Sequence, residues 1–273
     1  MEKELLFVGI QITNNHQLTT NNYIGESIMT ELEQQIRESV EADIRQRPAV
    51  RVFPITIGDE KFWVKRRLGN GRNQLVKYSV EKEFYYEIAR RSIAEMNCPD
   101  LVTDLVVLTP DYMVTRDGGN NVKDWLDKDI PEEEKEHILE RAGEALASLH
   151  QCDIVHGRPA LRDMTWDGKH LTFLDWENRM YSKDREEQKA IDLILILQGL
   201  CRENYEEEKA RVKAILKGYI SHGGEGALEG ARAFLQKHHV VGMLTKKLKP
   251  FHMVDVESVR KVYEYLLSGE DTF

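Results

Sequence analysis

HQCDIVHGRPALRDMTWDGKHLTFLDWE, residues 150–177, is the stretch on which the reading of this 273-residue chain turns. A helical run ends at its start and a loop carrying His156 follows. A short strand, a turn and a second strand then lead to Asp175, at the end of the apolar run 171–174. Polar and acidic groups gathered at loop and strand ends are the usual bearers of function on a packed scaffold.

Working outward toward the N-terminus, residues 4–12 (ELLFVGIQI) read as a strand and the polar run 14–22 as a loop. From Ser27, an N-cap in this reading, Ile28, Leu32, Ile36, Val40 and Ile44 recur at helical spacing, with Pro48 beyond the end. That amphipathic helix carries both signs of charge on its polar face, which suits packing on a lobe. AVRVFPITI (49–57) and KFWVKRRL (61–68) predict a hairpin, residues 80–96 a helix, and 101–110 with 111–116 a second pair of strands. Beyond the loop of Asp117, Gly118, Gly119, Asn120 and Asn121 the chain turns helical, with helices over about 131–151, 186–201, 205–221, 225–237 and 256–268.

The expected fold class is therefore α+β and bilobal. An antiparallel sheet with a helix forms a small lobe over 49–116, a mostly helical lobe follows over 117–273, and residues 1–48 form an N-terminal strand-and-helix extension. Gly118 and Gly119 are the expected hinge, and a nucleotide commonly sits in such an inter-lobe cleft.

Composition excludes several functions. A net charge of −9 opposes polyanion binding, so no nucleic-acid partner is expected, and Lys65, Arg66, Arg67 and Arg72 read as a solvated strand end. The three cysteines have neither metal-ligand nor paired spacing, and no apolar run reaches about 18 residues; a reducing, cytoplasmic setting without a transmembrane segment is expected, peripheral membrane contact being left open. LKGYISHGG (216–224) and the basic run 246–249 read as packing and solvated face.

Phosphoryl transfer needs acidic groups converging on Mg²⁺ and a residue that handles the incoming nucleophile. LDWE resembles the D-F-G region, HGRPALRD resembles the catalytic-loop motif, and FWVK resembles the V-A-I-K strand. On these motifs the chain resembles the protein-kinase-like superfamily over about residues 50–225, in particular the aminoglycoside phosphotransferases and the lipopolysaccharide (Kdo and heptose) kinases. The resemblance implies ATP and Mg²⁺ as cofactors, with Asp175 and Asp163 as metal ligands. It makes Lys65 the holder of the α/β-phosphates, with Glu83 as its helix partner and Glu87 as the alternative. Met113 to Thr115 would supply backbone contacts to adenine, His156 would brace the loop, and Asp192 would support it. Lys65, Asp163 and Asp175 would then share one crevice. The acceptor would be a small molecule, a lipid-linked sugar or a protein hydroxyl.

Two features depart from the motif. Arg158 stands where the catalytic Asp belongs, and a guanidinium accepts no proton at neutral pH. Moving that role to Asp163 leaves just 12 residues to Asp175, so the motif's register stays. Arg158 leads to three readings: an atypical kinase in which it steadies transferred charge, a transferase using Asp153, Asp163 or Asp167 to orient its acceptor, or a pseudokinase in which it pairs with Asp163 or Asp175. A reversed nucleotide giving nucleotidyl transfer belongs to the second. The other departure is the absence of G-x-G-x-x-G before the hairpin, which leaves phosphate cover to the hairpin at 52–62 or to the loop from Arg67 to Arg72.

Overall fold

The computed structural model describes residues 10–12, 18–20, 30–68, 74–178, 180–241 and 253–267. Most of the strand expected over 4–12, Ser27, the glycine-containing loop with Arg72 and the basic run at 246–249 lie outside them. The described residues divide into two compact units, one drawn from Met1–Met96 and Thr103–Asp117, the other from Asn97–Val102 and Gly118–Phe273.

In the first unit, β1 (Ile10–Ile12) pairs antiparallel with β2 (Leu18–Thr20), so part of the polar run read as a loop is a strand. Its two β-branched threonines favour extended backbone, which a reading by polarity overlooks. Helix α1 (Glu31–Gln46) begins at Thr30 rather than Ser27. The Thr30 hydroxyl accepts from the Glu33 N–H at 3.2 Å and the Glu33 carboxylate accepts from the Thr30 N–H at 3.0 Å. This capping box satisfies two backbone donors at once, a stronger start signal than a lone serine.

Strands β3 (Val52–Ile57), β4 (Glu60–Arg66), β5 (Leu105–Leu108) and β6 (Tyr112–Arg116) form one antiparallel sheet in the order β3-β4-β6-β5. Pro54, which cannot donate to a ladder, falls on the edge strand β3, where that loss is tolerated. The period-two alternation sends Phe53, Ile55, Phe62, Val64 and Val114 into a core that Ile36 and Val40 of α1 complete. The opposite parity puts Trp63, Lys65, Met113 and Thr115 on the other face. Phe84 and Ile88 of α2 (Gln74–Asn97) pack there with Met113. The cations read as a solvated strand end are partly consumed locally: Arg66 donates to the carbonyls of Arg47, Pro48 and Val50, and Arg67 pairs with Asp111.

In the second unit, β7 (Asn120–Asn121), β8 (Met164–Trp166) and β9 (Leu171–Phe173) make a small antiparallel sheet beside α3 (Val122–Leu126). Helices α4 (Glu132–Gln151), α5 (Arg185–Arg202), α6 (Glu208–Ser221), α7 (Glu225–Lys237) and α8 (Val254–Leu267) supply the core. α4 and α6 cross where each presents a glycine: a Cβ on Gly143 would fall on the Ile215 carbonyl, and one on Gly218 on the Glu140 carbonyl. Backbone that cannot retreat makes this crossing intolerant of a single methyl. Gly218→Ala should lower stability by about 2–3 kcal/mol in urea unfolding, whereas Gly226→Ala in α7, which meets open space, should be neutral or stabilising.

The three cysteines are free thiols, and burial, with Cys152 adding to it, pushes the Cys98 thiol up to about 12. Among the described residues no helix is long and apolar enough to cross a membrane.

Candidate functional site

The first unit contributes a cation. Lys65 lies on the α2 face of β4 because its neighbours Val64 and Phe62 take the core parity. Its ammonium is 2.8–2.9 Å from both carboxylate oxygens of Glu87, with side-chain exposures of 11% and 3%. This ion pair is made one turn beyond Glu83, the partner expected first. Positions 83 and 87 lie on the same helical face, so periodicity leaves the choice between them to the height at which α2 rests on the sheet. Met113 and Thr115 lie on β6. β6 is an interior strand: Met113 faces Lys65 on one side and Leu108 on the other, and Thr115 faces Trp63 and Leu105. Along this strand the backbone groups alternate between the two ladders: Tyr112 O accepts from Thr109 N–H on the β5 side, while Asp117 N–H, just past its end, donates to the Lys61 carbonyl on the β4 side.

In the second unit the loop after α4 is built around a buried carboxylate. Asp192 of α5, with no exposed surface, accepts the His156 N–H at 2.6 Å and the Gly157 N–H at 3.0 Å, and Gln188 donates to it at 3.3 Å. Gly157 adopts φ 93, a conformation glycine enters without penalty. The His156 Nε2–H donates to the Leu174 carbonyl at 2.7 Å, and its ring lies against Phe173 and Trp176. One imidazole thereby ties the His-Gly loop to the segment carrying Asp175. Leu174 N–H donates in turn to the Asp163 carbonyl at 2.7 Å, linking that segment to the short 3-10 turn Leu161–Asp163.

The carboxylates differ in setting. Asp163 is buried, and Asp175 is half-buried with φ 56. A left-handed backbone at a non-glycine residue is uncommon, Asp being among the residues that adopt it most readily, and it fixes where the side chain leaves the loop. Arg158, 43% exposed, brings its guanidinium to 3.6 Å from one Asp163 oxygen, while Arg162 reaches 3.6 Å from the other. Of the expected residues, then, Arg158 and Asp163 are neighbours, His156 and Asp192 share one hydrogen-bonded loop, and Lys65 belongs to a pair within its own unit.

Sequence reasoning passed over Gln188 and Trp63. Gln188 precedes Asp192 by one helical turn, a spacing that could have flagged it as support. Trp63 stands two residues before Lys65, and its indole N–H donates to Asp117 at 2.5 Å.

A sheet-borne lysine paired with a glutamate on the helix behind it, together with a His-Gly loop hung from a buried aspartate, defines an α+β protein of the protein-kinase-like class. The chain belongs to the phosphotransferase enzyme family, which it matches over residues 51–210. It is also 30% identical over 220 residues to an uncharacterized protein of Haemophilus influenzae, across 80% of this chain and 90% of that one.

Proposed function

We propose that this protein is an atypical ATP-dependent phosphotransferase that moves the γ-phosphoryl group to a hydroxyl on a small molecule, a lipid-linked sugar or a protein. The observation that carries the reading is the Lys65–Glu87 pair. A buried ion pair contributes little net stability, so its presence fits an ammonium held ready for phosphate oxygens. The residues suit the two cofactors: Lys65 would hold the α/β-phosphates, while Asp163 and Asp175 offer the hard oxygen ligands that Mg²⁺ takes. Bound magnesium supplies charge neutralisation on the phosphate oxygens.

The protein's own part is positioning. Asp192 and His156 fix the loop and Glu87 fixes Lys65, which suits a loose transition state that depends on geometry and charge more than on a strong base. Arg158 takes no proton, so the acceptor's proton passes to solvent or to the phosphate itself, and the guanidinium steadies developing negative charge.

The 3.6 Å approach of Arg158 to Asp163 favours a second reading, a nucleotide-binding sensor or scaffold whose metal ligand is held by an internal cation. Mg²⁺-dependent ADP release, measured across a panel of sugar, lipid-sugar and protein acceptors, separates the two. Steady turnover that rises with one acceptor supports transfer. Saturable ATP binding with no ADP formed in any mixture supports the sensor, and in that case Arg158→Ala should tighten Mg²⁺ binding by roughly tenfold, the effect of removing a cation beside a metal-binding carboxylate.

A further inference from the structure

Arg158 and Arg162 occupy the loop that leads from the His-Gly turn to Asp163. Both ends of that loop are pinned: the Gly157 N–H donates to Asp192, and the Asp163 N–H donates to the Ala160 carbonyl at 2.8 Å. Pro159 and Leu161, which lie between the two arginines, are buried, while the Arg162 side chain is 64% exposed. The Asp163 carboxylate draws both guanidiniums to 3.6 Å, short of the roughly 2.7–2.9 Å at which a charge-assisted hydrogen bond is made. Among the described residues neither guanidinium has a second carboxylate within ion-pair distance, and Arg158 Nε is shut off from solvent with no acceptor. Other arginines of this unit are spent: Arg211 grips both oxygens of Glu132 at 2.6 and 3.1 Å, and Arg260 grips those of Glu257. Two guanidiniums held by a fixed loop against one carboxylate make an excess of positive charge with unused N–H donors. If Asp163 serves Mg²⁺, as in the reading above, that single counter-charge is taken from them as well.

We infer that Arg158 and Arg162 clamp an anionic group on the acceptor: the hydroxyl that is phosphorylated belongs to a small molecule or sugar that also carries a carboxylate or a phosphate. This rests on the phosphotransferase reading above and narrows its acceptor. Arg158 stands at the motif position whose usual occupant meets the acceptor hydroxyl, so a cation there faces the acceptor rather than the nucleotide tail, which falls to Lys65. Planar guanidiniums suit the paired oxygens of a carboxylate or phosphate, and they repel a cationic acceptor. The transfer itself is unchanged. The acceptor oxygen bonds the γ-phosphorus as the bond to the β-phosphate oxygen breaks, and ADP and a proton leave.

Four hexoses that share one ring and differ in charge test the clamp: glucose, glucosamine, glucuronate and glucose 6-phosphate. Each is titrated by calorimetry into wild type, Arg162→Gln and the Arg158→Gln/Arg162→Gln double variant, with ADP and Mg²⁺ saturating so that the nucleotide's phosphate site is filled. Wild type should bind glucuronate or glucose 6-phosphate at least tenfold more tightly than glucose, with glucosamine weakest, and the tighter of the two anions tells a carboxylate site from a phosphate site. Arg162→Gln, at an exposed position, should weaken only the anionic hexoses, by roughly tenfold, and the double variant should bring them level with glucose. Wild type that takes up ADP and Mg²⁺ yet shows no measurable affinity for either anionic hexose, or no preference for them over glucose, overturns the inference and leaves the nucleotide reading standing. A preference that survives the double substitution in folded protein also overturns it. Wild type that does not bind ADP with Mg²⁺ overturns the nucleotide reading, and the inference built on it falls too.

Discussion

Lys65→Ala is expected to reduce turnover by at least 100-fold and to destabilise the first unit by about 3 kcal/mol, because it removes the phosphate-holding cation and leaves the Glu87 carboxylate buried without its lysine. The two losses have different cures. A Lys65→Met/Glu87→Leu double variant removes both charges and fills the volume with apolar atoms, which in buried pairs is commonly neutral or stabilising. Its urea midpoint should therefore return to within about 1 kcal/mol of wild type, while ADP release stays at the level of Lys65→Ala. Recovery of stability without activity would identify the pair as a functional device. If Lys65→Ala turns over as fast as wild type, the ammonium has no part in the reaction and the proposed function loses its main support.

Asp192→Ala should be nearly as damaging by another route. The substitution orphans the N–H groups of His156 and Gly157 in an interior that water does not reach, each at about 1–3 kcal/mol, so a total near 3–4 kcal/mol is expected in equilibrium unfolding. Asp192→Asn keeps one acceptor oxygen and should lose about half as much. Because His156 also donates to the Leu174 carbonyl, loosening this loop should carry to the segment bearing Asp175, and Mg²⁺-dependent activity should fall more than stability predicts. A variant that unfolds early yet keeps full activity per folded molecule would make Asp192 a purely structural brace. His156→Phe tests the same link from the ring side: it preserves packing against Phe173 and Trp176 while deleting the donor to Leu174.

Much of this was legible because it depends on local periodicity. Alternation along residues 52–66 puts Lys65 opposite the core parity, and helical spacing outlines α4 to α8 to within a few residues. The capping box at Thr30 is equally local: its Thr-x-x-Glu pattern marks the helix start more sharply than apolar spacing does. The strand β2 was hidden for the complementary reason, being short and polar, with its extended form tied to its partner β1.

What the chain alone determines about this protein is the face on which each chemical group lies and the order of the motifs, since both follow from backbone geometry that repeats every two or 3.6 residues. Only the tertiary structure decided heights and neighbours. It set the level of α2 on the sheet, which gives Lys65 to Glu87; the interior place of β6, which commits the main chain of Met113 to Thr115 to its ladders; and the loop packing that brings Arg158 to Asp163. Those outcomes depend on how side chains from distant segments fill a shared core, and no local repeat encodes that.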